Sequence, residues 1–287
     1  MARPPPSGGF LRSETGVRLL SALVLVALAL GSAWLGGPAL ALFWLLAAGG
    51  AAVEWTDVCK LQRRGAVRAA LLASLLAASL LAVVDSPGWL VALVAGLAIA
   101  AALAAGRTGR DRVWTLAGLA ILGLLAVTPV LVRENPALGL TGLLWMFAVV
   151  WGTDIAAYFT GRALGGPKLA PSISPGKTWS GFFGGLVVGT LAAVLVVAGG
   201  VALGWERPLG WGTIVVLSAV ASVVGQIGDL AESKLKRQFN VKDSSRIIPG
   251  HGGVLDRIDA FVAVCAFVAL AMVLARAFAG LSAGAAG

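Results

Sequence analysis

Asp229 and Glu232 stand three residues apart, and Asp256 and Asp259 repeat that spacing further along the chain. On helices each pair would share a face. Two carboxylate pairs converging from adjacent helix ends suit a hard cation such as Mg²⁺, which takes oxygen ligands and keeps waters that phosphate oxygens can replace. The competing reading pairs the same acids with Lys234, Lys236, Arg237 or Arg257 as salt bridges. Four acids at two facing helix ends, with Asp259 already inside an apolar run, favour metal or phosphate chemistry.

Between the acids lie Lys234, Lys236, Arg237 and Lys242, enough positive charge to neutralise a polyphosphate or a lipid phosphate. Pro249-Gly250-His251-Gly252-Gly253 reads as a tight turn whose glycines let backbone N–H groups approach an anion closely. His251, the single histidine of the chain, is a candidate substrate contact. A second polar segment, 161–181, is basic and rich in Ser and Thr, and it leads into a helix N-terminus that can hold phosphate. Its Gly176-Lys177-Thr178 is not a P-loop. That pattern needs glycine at position 171, which is proline, and a preceding strand, where an apolar run stands instead. Asp154, within LLWMFAVVWGTDIAAYF, is an acid in an apolar run, which is functional by default.

These groups must be positioned by membrane helices. The chain is 59% hydrophobic and 12% charged, with a mean hydropathy of +0.92, where soluble domains carry roughly 25% charge. Apolar runs near 19–35, 38–53, 67–84, 88–105, 113–132, 138–160, 180–204, 211–230 and 258–279 are of membrane-spanning length. They are apolar all round, which excludes a soluble helical core. The expected fold is an all-α polytopic membrane protein of about nine transmembrane helices, with 38–53 the shortest. The first run is read as a retained span, because another apolar run follows it without a cleavage site.

Nineteen of the twenty-two basic residues fall on one side if nine spans are counted, and only Arg133, Arg207 and Arg276 fall on the other. The positive-inside rule then puts the N-terminus in the cytoplasm and the C-terminus opposite. The formal charge of +9 is a topology signal and an attraction to anionic lipid. It is no sign of nucleic-acid binding, since no basic helix or aromatic-interleaved patch accompanies it. Cys59 and Cys265 lack CxxC partners and read as inert buried thiols. Segment 1–16 reads as a tail whose first nine residues are disordered. Segment 17–135 supplies helices for packing, lipid contact or a homodimer, 136–280 is the catalytic region, and 281–287 is a second tail.

Together the polar residues resemble the bacterial phosphatidate cytidylyltransferases, the CDP-diacylglycerol synthases. That family's signature runs Ser-x-apolar-Lys-Arg, Lys-Asp, His-Gly-Gly, Asp-Arg-x-Asp. Here it stands as Ser233, Leu235, Lys236, Arg237, Lys242, Asp243, His251, Gly252, Gly253, Asp256, Arg257 and Asp259. Upstream elements match as Gly228-Asp229-Leu230 with Glu232, Ser174-Pro175 with Lys177-Thr178-Trp179, and Asp154 with Tyr158, Gly161 and Arg162. Ser245 departs from the glycine of many relatives, and Ser180 from their glutamate.

The resemblance implies transfer of a cytidylyl group from CTP to phosphatidic acid in the bacterial inner membrane, with Mg²⁺ required and K⁺ as a second cation. It implies a metal on Asp229, Asp256 and Glu232. Asp259, Lys236, Arg237, Lys242, Asp243 and His251 would be catalytic. Ser174, Lys177, Thr178, Ser233, Gly252, Gly253, Arg257 and Asp154 would bind substrate. CDP-alcohol phosphotransferases carry an Asp-Gly-x-x-Ala-Arg motif that this chain lacks. A cation-coupled transporter would spread its intramembrane acids over inverted repeats, whereas here they crowd into one half.

Overall fold

The structure is a computed structural model that describes residues 14–84, 86–250 and 252–284. Among them are nine helices long and apolar enough to cross a membrane. They are α1 (Glu14–Leu35), α2 (Gly37–Val58), α3 (Arg64–Val83), α4 (Gly88–Ala105), α5 (Gly109–Glu134), α6 (Gly139–Leu164), α7 (Trp179–Ala202), α8 (Trp211–Gln238) and α9 (Leu255–Gly284). The chain is a multi-pass, essentially all-α membrane protein. The expected N-terminal tail lies outside the described residues except from Glu14, where α1 already begins.

Several helices outrun their expected bounds: α8, expected to stop at 230, continues to Gln238, and α9 runs to Gly284, into the segment expected as a tail. The second apolar run, expected to stop at 53, is a full helix to Val58 because the carboxylate of Glu54 is satisfied inside the protein. The loop after α6 also contains a small hairpin of β1 (Lys168–Ala170) and β2 (Ser174–Thr178). Thr178 then caps α7, its Oγ1 accepting from the Gly181 N–H at 3.1 Å.

Helix ends group into two polar layers. At one end Arg133 donates to the Ala33 carbonyl and the Gly37 N–H donates to Glu134, tying the α1–α2 corner to the end of α5. At the other end Arg110 donates to the Cys59 carbonyl, Ser21 to the Pro249 carbonyl, and Ser244 to Glu54. This second end carries the long connections 165–178 and 239–254.

Between the layers, packing is aromatic and glycine-mediated. Trp44 of α2 stacks on Phe261 of α9 with centroids 4.7 Å apart, and Phe147 of α6 lies against both. Such pairs contribute about 0.5–1.5 kcal/mol beyond area burial, which counts where lipid removes the hydrophobic drive for helix association. The glycine series expected to allow close contact does so between α6 and α7. A Cβ at Gly181 would lie 2.8 Å from the Ala157 carbonyl, and one at Gly185 2.9 Å from that of Thr153. That seam fixes Asp154 beside the loop after α6. Burial pushes the Cys59 thiol up to about 12, against the opposing charge of Arg110, so it stays neutral. Cys265 is likewise buried and unpaired.

Candidate active site

Lys236, in the last turn of α8, anchors the site. Its Nζ lies 2.7 Å from Glu232 Oε2, one turn earlier, and 2.7 Å from Asp256 Oδ1 on α9. Asp256 occupies the first turn of α9, where a carboxylate complements the helix dipole. Its Oδ2 accepts from the N–H groups of Ser244 at 3.1 Å and Gly253 at 3.0 Å. The salt-bridge reading therefore holds for Glu232 and Asp256. Glu232 Oε1 is buried and has no hydrogen-bond partner.

The turn between α8 and α9 closes through the Ile248 N–H, which donates to the Gly252 carbonyl at 2.9 Å. Gly250 at φ +74° and Gly252 at φ +84° adopt a backbone that side-chain-bearing residues avoid. Beneath this turn opens a cavity of about 690 Å³, lined among others by Arg18, Lys236, Asp243, Arg246, Gly252, Asp256 and Arg257. Four cationic side chains face two acids there, a balance that favours a multiply charged anion.

A second cluster adjoins the first. The β-hairpin delivers Lys177, whose Nζ is 2.5 Å from Asp229 Oδ2, and Ser233 Oγ approaches Asp229 Oδ1 at 3.5 Å. Asp259 is within Coulombic reach of Asp229, Glu232 and Asp154. Asp154 is exposed on the surface of the chain and feels Asp229, Lys177 and Arg257. Arg257 thus belongs to both groups. Gly228 makes the α8–α9 contact possible, since a Cβ there would sit 3.0 Å from the Asp259 carbonyl and collide with Ala263.

The remaining expected residues divide. Arg237 and Lys242 are exposed and do not line the cavity. Thr178 serves as a helix cap, and Ser174 lies in the hairpin. Both departures from the family pattern bond within the protein: Ser180 Oγ donates to the Gly165 carbonyl, and Ser245 Oγ reaches across the chain to Glu54 on α2. His251 lies outside the described residues.

Asp229, Glu232 and Asp256 do not converge as a ligand set. Among the described residues no three His, Cys, Asp or Glu side chains do so. Lys236 stands between two of them and Lys177 faces the third. Mg²⁺ needs no such cage, because one or two carboxylates with substrate phosphates and waters suffice. Asp229 and Asp259 fit that demand, as oxygen donors on the packed helices α8 and α9. Asp256 fits it least, since both its oxygens already accept hydrogen bonds.

Three residues at the site escaped sequence reasoning. Arg18 and Arg246 were counted only as topology signals, yet both line the cavity. Glu54 is an acid directly after an apolar run and within the helix α2 that continues it, a placement like that of Asp154. Ending the second span at 53 hid it.

A model of the cytidylyltransferase family matches residues 16–275. The chain belongs to that family. It is 44% identical over 260 residues to the phosphatidate cytidylyltransferase of Brucella suis biovar 1, covering 90% of this chain and 93% of that protein. The protein of that name from Bacillus subtilis is 43% identical over 139 residues, 48% of this chain and 49% of the relative. Within this cytidylyltransferase, Gly228→Ala is expected to push α9 from α8 beside Asp229 and Asp259. Overpacking of this kind costs about 1–3 kcal/mol. Thermal unfolding in detergent should show that loss together with a larger fall in turnover, whereas unchanged turnover would mean the spacing of the two acids is immaterial.

Proposed function

We propose that the chain transfers a cytidylyl group from CTP to phosphatidic acid, giving CDP-diacylglycerol and pyrophosphate. The observation that carries this reading is the cation-rich cavity sharing Arg257 with an acidic cluster at one end of the bundle. A phosphate oxygen of phosphatidic acid attacks the α-phosphorus of CTP. The bond to the β-phosphate breaks, and pyrophosphate leaves with its electron pair. The lipid phosphate is already an anion at neutral pH, so the chain must position the reactants and neutralise charge more than remove a proton.

Arg18, Arg246 and Lys236 would hold the triphosphate, with Arg257 between it and the lipid phosphate. Asp229 and Asp259 would hold Mg²⁺, which supplies further neutralisation at the CTP phosphates. Lys177 pairs with the Asp229 carboxylate and adds positive charge beside it. The acyl chains stay in the bilayer, and the exposed Asp154 marks the side from which the head group enters. The excess of basic residues at this end supports an orientation toward the cytoplasmic side of a bacterial inner membrane, where CTP is available.

Purified protein in mixed micelles is expected to release pyrophosphate only when CTP, phosphatidic acid and Mg²⁺ are all present. Absence of release, with cation flux in liposomes lacking nucleotide, would replace this reading by a transporter.

A further inference from the structure

Glu54 has no place in the chemistry above, yet it is one of the most thoroughly bonded side chains in the protein. It lies one turn from the end of α2 and is 1% exposed. Its Oε1 accepts from Ser245 Oγ at 2.5 Å and the Val254 N–H at 2.9 Å, and its Oε2 from Ser244 Oγ at 3.0 Å and the Leu255 N–H at 2.7 Å. All four partners are donors, and a carboxylate accepts at every lone pair.

The bonds fall on both ends of one loop. Ser244 and Ser245 lie between the cavity-lining Asp243 and Arg246, while Val254 and Leu255 open α9, whose first N–H groups have no partner within the helix. Asp256 grips the same two points from the other side, through the N–H groups of Ser244 and Gly253. Gly253 lies between the two carboxylates, and a Cβ there would come within 2.8 Å of both Glu54 oxygens. Glu54 itself does not line the cavity.

We infer that Glu54 is a positioning residue. From α2 it clamps the loop 244–255, so that Arg246 and the N-terminal turn of α9 face the bound nucleotide. The inference rests on the CTP reading above, and its test separates the two. Glu54→Gln keeps the shape but turns an N–H₂ toward a backbone N–H, leaving a buried donor unmatched, which is worth about tenfold to a hundredfold in an equilibrium.

Two measurements on detergent-purified full-length protein decide the matter. Hydrogen exchange followed by mass spectrometry should show the peptide spanning 244–255 exchanging about tenfold faster or more in Glu54→Gln, with α6 and α7 unchanged. Steady-state kinetics should show KM for CTP raised about tenfold or more, with KM for phosphatidic acid within about threefold of wild type. Glu54→Asp should recover part of both effects. A merely structural role would lower the active fraction and leave both KM values alone, and that outcome overturns the inference. So does unchanged exchange at 244–255, whatever the activity. If wild-type protein does not turn over CTP, the functional reading falls, while the exchange result still judges the clamp.

Discussion

Lys236→Met is expected to reduce pyrophosphate release by at least about a hundredfold, the scale for losing one preorganised charge at a reacting phosphate. It should also destabilise the protein more than any other single change at the site. The ammonium lies 2.7 Å from two carboxylates, and the three side chains are only 13%, 8% and 10% exposed. Removing it leaves Glu232 and Asp256 without their shared counter-charge, and breaking a buried pair in this way costs about 3–5 kcal/mol. The two losses can be separated. In Lys236→Met with Glu232→Gln one of the stranded charges is gone, so thermal stability in detergent should partly return. Activity should not return, because the cavity still lacks its lysine. Turnover recovering in step with stability would assign Lys236 to the scaffold alone.

Asp229→Asn should behave in the opposite way, losing about a hundredfold to a thousandfold in turnover while the fold is retained. Its partner Lys177 is 26% exposed and Asp229 itself 29%, so the ion pair contributes only about 1 kcal/mol or less after screening. The Mg²⁺ concentration giving half-maximal rate should rise sharply in Asp229→Asn and remain near wild type in Lys177→Met. An unaltered Mg²⁺ dependence in well-folded Asp229→Asn would remove Asp229 from the metal assignment.

The contrast between these residues marks what the sequence made legible. All nine spans were readable because a bilayer demands runs of about twenty apolar residues. The Glu232–Lys236 contact was readable too, being a one-turn spacing on a single helix. Lys177 against Asp229 was not, because a hairpin and two helices intervene and no periodicity encodes which loop folds back on which helix. Asp256 was legible only as one of several possible partners of that lysine, since it reaches it from another helix. Glu54 was missed for a different reason. The run 38–53 closes just before this acid, although the helix continues to Val58 because tertiary bonds satisfy it. Arg18 and Arg246 show the same limit, for a basic residue that sets topology can also line a site.

The seating of α1 against the turn after α8 has a consequence for synthesis. Ser21 bonds the Pro249 carbonyl across 228 positions, and Glu54 bonds Leu255 across 201. The wall of the cavity is therefore made from the first helix to be translated and the last loop, and that loop is held from behind by the second helix. Contacts so distant in sequence form late, so α1 and α2 must wait in the bilayer with part of their partner surface missing until the start of α9 has emerged. A nascent chain halted before residue 255 can hold most of its helices and still lack an anion pocket. The enzyme thus gains its reactive centre only near the end of translation, and a truncated copy left in the membrane would be inert toward nucleotide.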